Sequence, residues 1–364
     1  MTGALFLPSL EGGGAERVML SLAGELPAHG YPVDLVVGRM RGALVSQLPG
    51  DVHVVELGHD RLRTALPGLV RYLRTRRPDY LLSTLDHANA LSLLARAVSG
   101  TGIPVIVRVA NTPSEIAAAA RSPMQRLTVM LAGRLYRRAD ALVAVSRGVA
   151  ADLARFAHVD PSAIRTLPNP VVRSDVLRSA AAPLAHPWLR PGEPPVILAV
   201  GSLDRKKNVP LLLEALARIR RARDVRLLVL GDGSERPTIE RLVRRLELTR
   251  SVQLPGFDAN PYRYMARCAV FALASDREGL PGVLIEALAC RANIVSTDCR
   301  SGPREILHDG RFGRLVPVRD PDAMARALLA ALDDPVTPPA ESWAPYTLER
   351  ATAAYVGLIR RLAA

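Results

Sequence analysis

Short apolar runs recur along the chain, each followed by a stretch whose apolar positions return every three or four residues. In the first half the runs are Leu5–Pro8, Val33–Val37, His53–Leu57, Tyr80–Ser83, Val105–Arg108, Leu142–Val145 and Ile164–Leu167. The stretches between them, Ala15–Ala28 and Leu66–Arg76 among others, carry the helical period. A second series begins near residue 196, with runs at Val196–Val200, Arg226–Leu230, Val252–Leu254, Val270–Ala274, Ile294–Ser296 and Arg314–Val316. Its helical stretches include Val209–Arg221, Glu235–Leu246 and Ala323–Leu332, and Thr347–Leu362 closes the chain. Strands alternating with helices predict βαβ units on a parallel sheet.

The two series are separated by a proline-rich segment that holds Pro168, Pro170, Pro183, Pro187, Pro191, Pro194 and Pro195. Such a segment reads as an interdomain linker. With 364 residues the chain exceeds what one core normally organises. The expectation is an α/β protein of two Rossmann-like, doubly wound domains facing each other across a cleft. The first spans residues 1–170 and the second 171–342. A final helix in 343–364 packs back on the first domain. Ligands of such sheets sit beyond the carboxyl ends of the strands, so the loops that follow strands are the places to look for chemistry.

Composition narrows the function classes. Cys268, Cys290 and Cys299 form no CxxC pair and no metal-ligand spacing, and read as reduced thiols of a cytoplasmic protein. The first residues read as a strand rather than a signal peptide, and no apolar run is long enough to span a bilayer. The net charge is +13, but aromatics make up only 4% of the chain, too few for the stacking platforms of nucleic-acid binders. No nucleic-acid partner is expected. Abundant alanine, arginine and proline mark a composition bias that accounts for much of the arginine. Of the 48 basic residues only Lys206 and Lys207 are lysine.

Those two lysines stand in Gly201-Ser202-Leu203-Asp204-Arg205-Lys206-Lys207-Asn208, directly after a predicted strand. A compact ammonium on a flexible stem acts as a point charge for phosphate, a role arginine does not duplicate. After the strand Val270–Ala274 the chain reads Ser275-Asp276-Arg277-Glu278-Gly279-Leu280-Pro281-Gly282, and Glu286 follows with seven residues between it and Glu278. Glu278 falls in a Gly/Pro turn. Glu286 is expected about two turns into a helix and on roughly the same side. Free amides before a helix start attract anions. A ligand with phosphate at one end and hydroxyls at the other, such as a nucleotide sugar, suits this layout. After the first strand, Gly12-Gly13-Gly14 opens a helix in the same manner. It is not a G-x-G-x-x-G fingerprint. Gly231-Asp232-Gly233 forms a further tight turn, and Pro255-Gly256-Phe257 could wall a flat base.

Taken together, these loops resemble the family 4 glycosyltransferases of the retaining, GT-B type. The resemblance runs through Gly12–Val18, Val143-Ala144-Val145-Ser146, Leu167-Pro168-Asn169-Pro170, Val200-Gly201, Lys207-Asn208, Leu230-Gly231-Asp232-Gly233, the E-x7-E segment and Ser301-Gly302-Pro303-Arg304-Glu305. It implies a GT-B fold and a hexosyltransferase that moves sugar from a UDP- or GDP-sugar to a glycan or lipid-linked acceptor, in cell-surface polysaccharide, lipopolysaccharide or glycolipid synthesis. Glu286 would bind the ribose hydroxyls. Glu278 would lie near the donor sugar, and Gly279, Leu280, Pro281 and Gly282 would contact sugar and phosphate. Lys207, assisted by Arg205, would neutralise the diphosphate leaving group, with Gly201 and Gly256 lining the donor pocket. Gly13 and Gly14 would meet the same diphosphate from the first domain. Neither a cofactor nor a metal is implied, because lysine and arginine supply the charge.

Three positions depart from the family pattern. Ser202 replaces the arginine that often follows the glycine of the lysine loop. Ala110 replaces the histidine of an R-x-H-N stretch, here Arg108-Val109-Ala110-Asn111. Arg291 stands where glycine usually ends the helix after Cys290. On the acceptor side the candidates are His87, Arg108 and Asn111. Two arginine-rich stretches, Arg71–Arg77 and Arg121–Arg138, suggest an anionic membrane surface as a partner and peripheral attachment to the inner face of the cell membrane. The competing readings are a nucleotide-sugar epimerase of the same architecture and a non-enzymatic nucleotide- or nucleic-acid-binding protein.

Overall fold

The computed structural model describes residues 1–58, 64–120 and 122–363. Arg121, counted above with the second basic stretch, lies outside the described residues. The chain forms two compact units, residues 1–171 together with 346–364, and residues 172–345.

The first unit is built on a seven-stranded sheet: β1 (Gly3–Leu7), β2 (Val33–Val37), β3 (His53–Glu56), β4 (Tyr80–Thr84), β5 (Val105–Val109), β6 (Ala141–Ala144) and β7 (Ile164–Thr166). Every pairing is parallel and the order is β3-β2-β1-β4-β5-β6-β7. Strands β1, β2, β4, β5 and β6 are buried along their whole length. Their unbroken apolar runs therefore pack helices on both faces. The closing helix Leu348–Ala363 belongs to this unit and puts Tyr355, Val356, Leu358 and Ile359 into its core beside Leu5, Leu22 and Val33.

The second unit repeats the plan with six strands: β8 (Val196–Val200), β9 (Arg226–Leu230), β10 (Val252–Gly256), β11 (Val270–Leu273), β12 (Ile294–Thr297) and β13 (Arg314–Val316). The order is β10-β9-β8-β11-β12-β13, again parallel throughout. In both sheets the first strand is central and the chain winds outward from it in both directions. The switch points lie between β1 and β4 and between β8 and β11. Crevices open there because the connections on either side leave in opposite directions. In the second unit Val270 pairs with Ile197 and Phe271 with Leu198. That register brings the loops leaving β8 and β11 out side by side.

Boundaries shift where proline intervenes. The first strand is Gly3–Leu7 rather than Leu5–Pro8, since Pro8 has no N–H to extend a ladder. The first helix stops at Glu25, and Leu26–His29 continues as a 3-10 turn around Pro27, closed by left-handed Gly30.

Candidate functional site

The loop after β8 is organised by Asp204. Its Oδ1 accepts from the amides of Lys206 at 3.0 Å and Lys207 at 3.2 Å, and its Oδ2 from the Ser202 hydroxyl at 2.7 Å. This caps the 3-10 turn Arg205–Lys207. The Lys207 side chain then folds back over Gly201, where an added Cβ would lie 3.4 Å from Lys207 Cε. The loop rests on its neighbour. A Cβ on Gly231 would fall 1.9 Å from the Gly201 carbonyl oxygen, and one on Gly233 would fall 2.5 Å from that of Leu203. The Gly231-Asp232-Gly233 turn therefore lets the lysine loop sit against β9, and the Leu203 amide donates to the Asp232 carbonyl at 2.9 Å.

The loop after β11 comes up beside it. Lys207 Nζ donates to Glu278 Oε1 at 2.6 Å, and the Ser275 hydroxyl donates to the same oxygen at 2.7 Å. Both ends of the ion pair are shielded, with side chains 16% and 8% exposed. Burial alone would raise the Glu278 carboxyl. The Lys207 ammonium, the Lys206 charge and the two hydrogen bonds outweigh it, so the carboxyl titrates below its ordinary range. Burial alone would likewise lower Lys207, but Glu278 and, more weakly, Asp204 hold it above its usual value. The pair is fully ionised at neutral pH.

Asp276 buckles the two loops together. Its amide donates to the Lys206 carbonyl at 2.7 Å, and its Oδ1 accepts from Asn208 Nδ2 at 2.9 Å. Arg319, beyond β13, closes on its Oδ2 with two N–H groups at 3.0 and 2.7 Å. The turn Glu278–Pro281 is braced from the other side. Ser301 Oγ donates to the Gly279 carbonyl at 2.9 Å, and Gly302, at φ 95°, approaches so closely that a Cβ would meet Pro281 Cδ at 2.6 Å. Gly279, Leu280 and Pro281 are buried, and the helix Gly282–Ala289 starts directly after them.

Glu286 is the fifth residue of that helix, just over one turn in rather than two. Glu278 precedes the helix, so helical periodicity does not relate the two acids. Glu286 is half-buried, and Oε1 accepts from the Tyr262 hydroxyl at 3.2 Å. Gly256, at φ 96°, ends β10, and its carbonyl accepts from the Gly231 amide at 2.7 Å. Phe257 follows it, exposed to solvent. Arg205 is exposed at the start of the capped turn. Arg291 takes the left-handed conformation at φ 58°, the strained position that glycine would fill freely.

In the first unit Gly13 precedes the helix Gly14–Glu25, and Glu16, 6% exposed, turns back on it. Glu16 Oε2 accepts from the amides of Gly12 at 2.9 Å and Gly13 at 2.6 Å. The protein's own carboxylate thus occupies two of the amides offered by the glycine loop, and Gly14 keeps an open side where a Cβ would meet nothing. His87 is exposed in the first turn of the helix Asp86–Ser99, and Asn111 is half-buried after β5.

Arg108 corrects the acceptor assignment. It is fully buried, and its guanidinium donates to Thr84 Oγ1 at 2.9 Å, to the Tyr355 hydroxyl at 3.1 Å and to Asn169 Oδ1. It joins β4, β5, the Leu167–Pro170 segment and the closing helix, and reaches no surface where an acceptor could bind.

Family models match both halves of the chain, Glycosyltransferase Family 4 over residues 12–174 and Glycosyl transferases group 1 over residues 184–350. A relative from Campylobacter jejuni is 32% identical over 340 residues, covering 91% of this chain and 90% of that protein. The chain belongs to the family 4 glycosyltransferases. That relative is an N-acetylgalactosamine-N,N'-diacetylbacillosaminyl-diphospho-undecaprenol 4-alpha-N-acetylgalactosaminyltransferase. Among solved structures, the lipopolysaccharide outer core galactosyltransferase WaaB aligns with a TM-score of 0.76 at 18% identity, over 99% of both chains. Anabaena Alr3699/HepE, solved with UDP, aligns at 0.72 and 18% identity, over 100% of this chain and 97% of that one. The fold is the GT-B fold of these enzymes.

The residues that composition and motifs did not single out are the supporting ones: Ser275, Asp276 and Arg319. Ser275 and Asp276 had a signal, being polar residues directly after a buried strand at a switch point. Arg319 had none, since one arginine among so many carries no information in this composition.

Proposed function

We propose that this glycosyltransferase moves a hexose-type sugar from a UDP- or GDP-sugar to a lipid-linked glycan, with retention of configuration, at the inner face of the cell membrane. The observation that carries the reading is the buried Lys207–Glu278 pair at the β8/β11 switch point, beside a helix start. The Lys207 ammonium has N–H groups beyond the one given to Glu278. In this reading they meet the charge that develops on a diphosphate seated over Gly201 and the Gly279–Gly282 turn. Arg205 adds a second positive group from solvent. Such groups accelerate transfer by stabilising charge on the departing phosphate, and the reading requires no metal. Glu286 takes the ribose hydroxyls, and Phe257 offers an apolar face to the base.

In the retaining reaction the bond from the anomeric carbon to the leaving phosphate oxygen breaks as the acceptor oxygen bonds to the same face. The acceptor proton passes to that phosphate oxygen. No second carboxylate on the opposite face is needed, unlike glycoside hydrolysis through a glycosyl-enzyme. A lipid-linked acceptor is supported by the undecaprenol-linked substrate in the name of the Campylobacter relative, and a uridine donor by the UDP complex of HepE. The test is to incubate the protein with a panel of UDP- and GDP-sugars, with and without a polyprenyl-diphosphate glycan. Nucleoside diphosphate release that requires the acceptor, with an axial or equatorial linkage matching the donor, supports the proposal. Isomerised donor without transfer, or an inverted linkage, refutes it.

A further inference from the structure

The second unit pairs its half-buried arginines with carboxylates. Arg218 meets Asp322, Arg226 meets Glu193 and Arg263 meets Asp258, and Arg220, Arg223, Arg236 and Arg314 each have an acid beside them. Partial burial of a charge calls for this, because an opposite charge offsets the loss of solvation. Arg277 is the exception. It is half-buried, and among the described residues its guanidinium has neither a hydrogen bond nor an ion pair. Lys206 is in the same position. Its amide is taken by Asp204 and its carbonyl by the Asp276 amide, but its half-buried ammonium has no partner among the described residues.

Both belong to the loops that carry the Lys207–Glu278 pair. Arg277 stands between Asp276, held by Asn208 and Arg319, and Glu278, held by Lys207 and Ser275. Its backbone is therefore fixed on both sides, within about 4 Å of either neighbour's Cα. The bond of 2.7 Å from the Asp276 amide to the Lys206 carbonyl sets Lys206 alongside the same segment. The Lys206 charge is near enough to help keep the Glu278 carboxyl ionised.

The charges of these loops do not balance. Arg205, Lys206, Lys207, Arg277 and Arg319 stand against Asp204, Asp276 and Glu278, an excess of two positive charges. Glu278 cancels Lys207, and Asp276 cancels Arg319. Asp204 gives its carboxylate to two amides and the Ser202 hydroxyl. Arg205 is out in solvent, where salt screens it. The uncompensated charge in surroundings of lower dielectric is that of Lys206 and Arg277. A diphosphate esterified at both ends carries two negative charges.

We propose that Lys206 and Arg277 bind the donor diphosphate and supply the net charge that balances it. The Lys207–Glu278 pair, neutral as a whole, contributes directed hydrogen bonds instead. This rests on the nucleotide-sugar reading above and assigns the charge of that site to two side chains the reading leaves idle.

Calorimetry with UDP, GDP and the two corresponding monophosphates tests it, on the parent chain, Lys206→Met, Arg277→Met and the double variant. Each single variant should lose about tenfold in affinity for the diphosphate, and the double variant roughly a hundredfold. Affinity for the monophosphate should fall much less. The dependence of affinity on salt should flatten in the same steps. Lys206→Arg and Arg277→Lys keep the charge and should keep most of the affinity. In steady-state kinetics the methionine variants should raise the donor KM more than they lower kcat. Neither side chain has a partner to lose, so the urea midpoint of the ligand-free second unit should hold or rise while stabilisation by diphosphate falls. A double variant that binds the diphosphate as tightly as the parent overturns the proposal and leaves the donor reading standing. Equal losses for monophosphate and diphosphate overturn it too, since they mean a general change in the nucleotide pocket. A parent chain that binds neither UDP nor GDP removes the proposal and the donor reading together.

Discussion

The Lys207–Glu278 pair can be examined apart from catalysis, because the protein carries a reporter for it. Both tryptophans, Trp188 and Trp343, lie within residues 172–345, so tryptophan fluorescence in urea follows the unit that holds the pair. The perturbations are Lys207→Met, Glu278→Gln and the two combined. Removing one member of a buried ion pair strands the other charge, at a typical loss of about 3–5 kcal/mol. The lower end applies to Lys207→Met, because Glu278 keeps the Ser275 hydrogen bond and the nearby Lys206 charge. Glu278→Gln leaves the ammonium with the weaker attraction of Asp204. Each single variant should therefore lose about 3 kcal/mol. The double variant strands no charge and should lose about the same rather than twice as much, a coupling of about 3 kcal/mol, at the top of the range seen for contacting residues.

The pH dependence gives the sign. The folded carboxyl titrates below its ordinary value of 4.5, so the pair's contribution is present above that pH and is lost as pH falls through the folded value. The folded ammonium titrates above 10.5, so at the alkaline end the contribution is lost only as pH rises beyond that. The coupling should hold from pH 6 to 9 and shrink in acid. Single variants that add to within about 0.5 kcal/mol at neutral pH would refute the reasoning, since they would mean the two groups do not interact.

Four further outcomes are expected. Lys207→Ala should lower kcat by about 10²–10³-fold with little change in donor affinity, read by steady-state kinetics and donor titration, because it acts on charge that develops during transfer. Glu286→Ala should weaken nucleoside diphosphate binding at least tenfold by calorimetry, and unchanged affinity would remove the ribose assignment. Asp276→Ala, which removes the bonds that Asn208 and Arg319 make to the loop after β11, should lower kcat more than it raises KM. Asp276→Asn, still able to accept from Asn208, should recover most of that loss, whereas equal losses would mean that the charge facing Arg319, and not the bond to Asn208, is what holds the loops. Gly231→Ala should destabilise the second unit by more than about 2 kcal/mol in the same tryptophan experiment, because its Cβ would collide with the Gly201 carbonyl at a φ of 132°.

The central strands of both sheets were legible because a strand buried on both faces is an unbroken apolar run, whereas edge strands such as His53–Glu56 and Ile164–Thr166 carry exposed polar positions. The donor-side loops were legible because each follows one of those runs, and because two lysines stand out in a chain otherwise based on arginine. What could not be read were the partners chosen at long range. Arg108 ends an apolar strand just as a solvent-facing arginine would, and its burial is decided by Asn169 and Tyr355, 61 and 247 positions away. Glu16 was closer to legible, since a glutamate at the third position of a helix commonly turns back on the preceding amides. The same limit governs the helix Pro123–Leu135. Hydrophobic periodicity finds an apolar arc but not which way it points, and the direction here is set by contact between Gly133 and Phe156. A small residue on the face opposite the large apolar side chains is the one local sign that such a helix seats by its lean side.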